Sequence, residues 1–196
     1  MRPVLILYAT REGQTQRIAE FLAARLREKG LVGEVFDVRG LPTGFSLSPY
    51  SSAILAASVH LGKHEREMVN FVKKYRQDLQ QLPTAFLSVS LSQAGVQDPA
   101  APEERRLQAA ADVKTMINSF LTETHWRPTR VLAVAGALMY LKYDFFLRLI
   151  MKGIARRAGA STDISRNHEF TDWSALDDVI SEFVADEMHC QGVVAS

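Results

Sequence analysis

Short apolar runs alternate along this chain with longer stretches of helical period, and that alternation predicts an open parallel sheet covered by helices on both faces. Five runs read as strands, at residues 3–8, 33–38, 53–57, 84–89 and 130–135. Between them, residues 15–29 set Ile18, Phe21, Leu22, Arg25 and Leu26 along one face, with Gly30 as the expected C-cap. Residues 65–82 do the same with Met68, Val69, Val72 and Leu79. A third helix is expected over about 102–123, entered by Pro102 and carrying Leu107, Ala110, Val113, Ile117 and Phe120 on one face. A last helix starts at Trp173, behind Asp172 as its cap, and turns Leu176, Val179, Ile180 and Phe183 to the sheet. The Gly, Pro and Ser cluster of residues 40–52 reads as a surface connection within one domain spanning 1–196.

Composition narrows the class without assigning a function. A chain of 196 residues with 47% hydrophobic composition can bury one sizeable core. A net charge of +1 gives no general case for nucleic acid as a partner, although the charge is unevenly placed. The single cysteine, Cys190, leaves no internal disulfide and suits a reducing compartment. The N-terminal apolar run is too short for a signal peptide or a membrane span, so a cytoplasmic location is expected.

In open sheets of this kind ligands sit beyond the carboxyl ends of the strands, where strand order reverses. Three connections fall there, at residues 9–14, 58–64 and 90–99. The first, Thr10-Arg11-Glu12-Gly13-Gln14-Thr15, reads as a phosphate loop between strand and helix: two hydroxyls, a glycine that permits close approach, and free amides at a helix start. The same residues also read as a polar turn with Gln14 or Thr15 near a helix cap. The second connection offers Gly62 with His60 and His64, expected at the surface or at the edge of a bound ligand; no metal is expected there, because pairing at i, i+4 would require a helix. The third, Ser90-Leu91-Ser92-Gln93-Ala94-Gly95, can present backbone amides to a planar ring.

Rival motifs are missing. The chain has no G-x-x-x-x-G-K-[ST], no G-x-G-x-x-G and no G-x-S-x-G, and its first strand ends in Tyr8-Ala9-Thr10 without the carboxylates of a response regulator. What remains is a mononucleotide held by hydroxyls and amides. Residues 136–157 do not fit a plain carrier of such a ligand. Helical spacing sets Tyr143, Leu147, Ile150, Met151 and Ile154 on one face, and Lys142, Arg148, Lys152 and Arg156 on the other with Phe145 and Leu149 among them. Two readings stand: a helix at an anionic membrane surface, or a helix packed on the sheet edge whose cations reach solvent.

Taken in order, Thr10 to Thr15, Ala56-Ala57-Ser58, Phe71-Val72-Lys73-Lys74, Trp126-Arg127-Pro128, Ala135-Gly136-Ala137-Leu138 and Thr171-Asp172-Trp173 make the chain resemble the flavodoxin-like, quinone-dependent protoporphyrinogen dehydrogenases of bacteria. The resemblance implies a flavodoxin-like, doubly wound five-stranded parallel sheet with a basic, aromatic helical insertion at about 138–159. It implies FMN as cofactor, and oxidation of protoporphyrinogen IX to protoporphyrin IX in haem biosynthesis with electrons passed to a membrane quinone. It places the phosphate on Thr10, Arg11, Glu12, Gly13, Gln14 and Thr15, and the flavin among Ser58, His60, Gly62, Ser88, Ser90, Leu91 and Ser92. Porphyrinogen and an anionic membrane would meet Lys142, Phe145, Phe146, Arg148, Lys152 and Arg156 at the inner face of the cell membrane. His60 is the candidate catalytic group, and no metal is implied.

The chain departs from that family twice. His60 and Leu61 stand where the family has an Arg and a Tyr before the glycine, and residues 92–98 carry no basic residue where the family's loop is rich in Lys and Arg. Two other functions suit the same fold, an electron carrier and a domain without flavin. Carriers are generally acidic around the flavin, whereas this chain is near neutral with a basic insertion.

Overall fold

The computed structural model describes residues 2–138 and 168–193. Its strands are β1 (Val4–Ala9), β2 (Gly33–Asp37), β3 (Ser52–His60), β4 (Lys63–His64), β5 (Thr84–Ser90), β6 (Arg130–Ala135), β7 (Ala137–Leu138) and β8 (His168–Glu169). Its helices are α1 (Gln14–Glu28), α2 (Arg66–Leu79), α3 (Leu91–Gln97), α4 (Glu103–Thr124) and α5 (Trp173–Val193). The parallel strands run in the order β2-β1-β3-β5-β6, and β4 folds back antiparallel on β3. Counting parallel strands alone, this is the flavodoxin order, whose direction reverses between β1 and β3.

Strand residues alternate between two cores. Ile6, Ile54 and Leu87 face Ile18, Leu22 and Leu26 of α1 and Leu176, Ile180 and Phe183 of α5. Leu5, Leu7, Leu55 and Phe86 face Met68 and Val72 of α2, Phe120 of α4, and Trp126. Because both faces are covered, the strands read as continuous apolar runs. Gly33 lets α1 lie close: a Cβ there would meet Ile6 Cδ1 at 3.1 Å and the Cα of Ala23 at 3.2 Å.

Helix ends follow local chemistry. The C-cap of α1 is Lys29, and Gly30 stands one position beyond it at φ +80°. Gly30 N–H donates to Arg27 O at 3.0 Å and Leu31 N–H to Leu26 O at 2.9 Å, the paired bonds of a Schellman ending. Asp172 caps α5, its Oδ1 accepting from the amides of Ser174 and Ala175 at 3.0 Å each.

Several expectations are corrected. Residues 40–52 do more than connect: Leu47 and Tyr50 are buried, and the Phe45 ring packs 5.8 Å from Tyr75 and 6.1 Å from both Phe36 and Tyr50. Aromatic side chains amid turn residues find the sheet, and the Tyr50 hydroxyl donates to Glu34 Oε2 at 2.9 Å. On α4 the buried stripe is Val113, Met116 and Phe120, while Leu107 is exposed. Leu107 precedes Val113 by six positions, which at ~100° per residue leaves it about a third of a turn off that stripe. Residues 91–97 form a helix instead of a loop, because the Ser90 hydroxyl caps it by accepting from Gln93 N–H at 3.3 Å. β3 extends past residue 57 because β4 pairs with its end. The helical insertion expected at 138–159 lies, beyond Leu138, outside the described residues; β7 and β8 pair antiparallel and bring its flanks together.

Candidate functional site

The first loop leaves β1 at Ala9 and enters α1 through Gly13, at φ +96°. Gly13 N–H donates to Thr10 Oγ1 at 3.0 Å. No side chain caps α1, and its first turn holds no acidic residue. The Thr15 hydroxyl is fully buried and has no hydrogen-bond partner among the described residues. A buried polar group left so costs about 1–3 kcal/mol, and an uncapped helix start carries partial positive charge. Hydroxyls and amides at such a place fit one phosphate group. The polar turn is also present, with Gly13 as the N-cap and Gln14 and Thr15 as the first two residues of α1 beside it.

The other side chains of this loop are engaged elsewhere. Gln14 Nε2 donates to Glu169 Oε1 and to Thr171 Oγ1, both at 2.9 Å, and Thr171 Oγ1 donates to Ala135 O at 2.8 Å. Arg17 reaches Gln14 Oε1 at 3.1 Å and Glu169 Oε2 at 3.0 Å. Burial opposes ionisation of Glu169, but the hydrogen bonds from Gln14 and Arg17 hold its carboxyl below the usual range. Arg11 Nε donates to both oxygens of the buried Glu65 carboxylate, at 2.9 and 3.0 Å, and Ser58 Oγ donates to the same group at 3.3 Å. Glu12 Oε1 lies 3.9 Å from His60 Nδ1.

The second connection is a hairpin. Leu61 and Gly62 form a two-residue turn with φ +49° and +76°, the conformation for which Asn-Gly is the favoured pair. A left-handed leucine costs roughly 1–2 kcal/mol, and this one is 76% exposed. The two histidines part company. His60 stays at the rim, while His64 is buried between Phe86 and Phe120, with ring centroids 5.2 and 4.9 Å away. Its Nε2 lies 2.9 Å from Ser88 Oγ, and burial pushes its pKa down to about 4, so the imidazole is neutral. His64 is thus buried and not a surface residue, although it lines the larger of two cavities at this site, and Ser88 is enclosed with it. Among the described residues no group of three or more His, Cys, Asp and Glu could hold a metal ion.

Of the residues expected around a flavin, the structure brings His60, Gly62, Ser90, Leu91 and Ser92 to one cavity of about 360 Å³. A second cavity, of about 660 Å³, shares His60, Leu61 and Gly62 with it and reaches Arg11, Lys63 and Arg66. Sequence reasoning missed Lys63 because the hairpin was read as a loop, although the turn pair Leu61-Gly62 between polar neighbours was an available signal; it missed Arg66 of α2 and Met116 of α4, which reach the cavities from separate helices. It also missed Glu169 and Thr171, which reach Gln14 across more than 150 positions without a local signature. Lys142, Phe145, Phe146, Arg148, Lys152 and Arg156 lie outside the described residues.

Comparison with known proteins now bears on this geometry. Residues 5–165 match the flavodoxin domain family. Over 172 residues the chain is 33% identical to protoporphyrinogen IX dehydrogenase (quinone) of Escherichia coli strain K12, covering 88% of this chain and 89% of that one. Over 182 residues it is 31% identical to the protein of the same name from Leishmania major, covering 92% and 74%. A short-chain flavodoxin associated with a bacterial microcompartment superposes with a TM-score of 0.51 at 11% identity, over 95% of this chain and 99% of that one, and bears on fold alone. Among the described residues no helix is long and apolar enough to cross a membrane. The chain belongs to the flavodoxin domain family and, within it, to the quinone-dependent protoporphyrinogen IX dehydrogenases, a family of FMN-dependent oxidoreductases.

Proposed function

We propose that this chain oxidises protoporphyrinogen IX to protoporphyrin IX with a quinone as acceptor, each pair of hydrogens leaving the porphyrinogen appearing on a quinol. Similarity to enzymes of that name along most of the chain supports the reading. The observation that carries it is the first loop, where a buried, unpartnered Thr15 hydroxyl adjoins an uncapped helix start. That donor set fits a single terminal phosphate and lacks the glycines that a pyrophosphate requires.

FMN, when bound, supplies reversible two-electron chemistry to this site. The Thr10 and Thr15 hydroxyls and the first-turn amides of α1 would hold its phosphate, with Gly62, Ser90, Leu91 and Ser92 bordering the ring. Gln14, through Thr171 and Glu169, fixes the helix start on which those donors stand. His60, whose Nδ1 lies 3.9 Å from Glu12 Oε1, would be the group that takes a proton from substrate. The proposal extends to the membrane, where quinone resides. The sequence support is the basic and aromatic run from Lys142 to Arg156, which has the composition of an interfacial segment.

An anaerobic assay of FMN-loaded protein with protoporphyrinogen and a short-chain quinone, followed by porphyrin fluorescence, tests the chemistry. Fluorescence should rise only with both protein and quinone. A rate no faster than without protein, together with rapid reoxidation of reduced flavin by quinone, would leave an electron carrier. Co-sedimentation with anionic vesicles, lost at high salt, tests the membrane part; absence of binding at low salt would sink it.

A further inference from the structure

The hairpin tip has no structural need for a leucine. Leu61 occupies a left-handed position at 76% exposure, the most exposed of the large apolar side chains among the described residues. Strained, solvent-facing apolar groups of this kind are retained where they contact something else. Leu61 borders both cavities of the site. The larger one is also lined by Met116 and the buried Phe120, which add apolar surface to it.

Cations outnumber carboxylates around this cavity. Arg11, Lys63 and Arg66 line it against Glu123 alone, and Glu123 already accepts from both Arg66 and Lys73. Arg11 spends its Nε on Glu65, which leaves its terminal nitrogens for another acceptor. Apolar lining beside Lys63, which has no ion pair among the described residues, and the remaining donors of the paired Arg11 and Arg66 suits an amphipathic ligand with an apolar body and carboxylate arms. The volume of about 660 Å³ lies within the range of sites for small molecules.

We infer that the β3–β4 hairpin is the substrate-recognition element, with Leu61 against the tetrapyrrole ring and Lys63, with Arg66 and Arg11, on its propionate carboxylates. The inference rests on the reading of the substrate as a porphyrinogen. It assigns recognition to the hairpin in addition to any part played by residues 142–156.

Two variants and two substrates test it in the FMN-loaded protein. Leu61→Asn suits the turn better, so its Tm should rise by several degrees. The same change should raise the Kd for protoporphyrin IX, read by porphyrin fluorescence titration, and the KM for the porphyrinogen by about tenfold. Lys63→Glu should raise the KM for the diacid by about tenfold while changing kcat less than about twofold, and should leave the KM for the dimethyl ester unaltered. Either variant at parental Kd and KM overturns the inference, as does an equal effect of Lys63→Glu on diacid and diester. A parent protein that neither oxidises the porphyrinogen nor binds the porphyrin overturns the functional reading itself, and this inference with it. A parent that does both, with unaffected variants, overturns the inference alone.

Discussion

Gln14 Nε2 donates to Thr171 Oγ1 at 2.9 Å, and this one bond ties the start of α1 to the chain that returns at β8. Gln14 is buried, and its second bond, to Glu169, lies on the same returning segment. Gln14→Leu should therefore cost about 1–3 kcal/mol of stability, measured by urea unfolding, because buried partners lose their bonds. Since Gln14 is also the first residue of α1, the Kd for FMN should rise severalfold. A double-mutant cycle with Thr171→Val should show a coupling above about 0.5 kcal/mol. Strict additivity would mean that the two residues act independently.

The buried His64 gives stability an acid limb. Its pKa falls from 6.5 to about 4 on folding, so between those values the unfolded chain binds the proton and the folded one does not. Stability then rises with pH, and is lost as pH falls from 6.5 towards 4, by up to about 3 kcal/mol. His64→Gln has no proton to gain there. Its unfolding free energy should fall by about 3 kcal/mol less than the parent's over the same window. Parallel curves would show that His64 titrates normally.

Gly33 and Gly40 make a paired test of packing. A Cβ at Gly33 would meet Ala23 Cα at 3.2 Å, where only backbone movement can give way, whereas nothing lies within 4 Å of one at Gly40. Gly33→Ala should destabilise by about 1–3 kcal/mol through overpacking. Gly40→Ala should be neutral or stabilise by up to about 1 kcal/mol, by restricting the unfolded chain. Denaturant midpoints at constant m-value separate the two.

The sheet was legible because its strands are buried on both faces and so read as unbroken apolar runs, as at Leu5-Ile6-Leu7 and Ala53-Ile54-Leu55. Capping chemistry made Asp172 legible, since one carboxylate near two free amides needs no distant partner. The passage from strand to helix between Ala9 and Gln14 was legible for the same local reason. What escaped were contacts between segments far apart in sequence: Arg11 on Glu65, Gln14 on Glu169 and Thr171, and His64 folded under Phe120. A histidine two positions past a glycine reads as exposed until its strand is paired. The alternation of β4 with β3, and not the residue type, turns His64 inward.

The Thr15 hydroxyl separates a binding role from a structural one by the sign of its effect. It is fully buried with no hydrogen-bond partner among the described residues, so it makes no bond there that holds the protein alone together. Thr15→Val keeps the shape and removes the unsatisfied group, and should stabilise the FMN-free protein by about 1 kcal/mol. With phosphate bound, the same hydroxyl would donate to a charged acceptor, a bond worth about 1.5–3 kcal/mol, so the variant's Kd for FMN should rise roughly tenfold to a hundredfold. The two effects oppose each other, so Tm should be higher than the parent's without FMN and lower than the parent's in saturating FMN. A variant destabilised in both conditions would mark Thr15 as packing. One with the parent's FMN titration would remove it from the phosphate site.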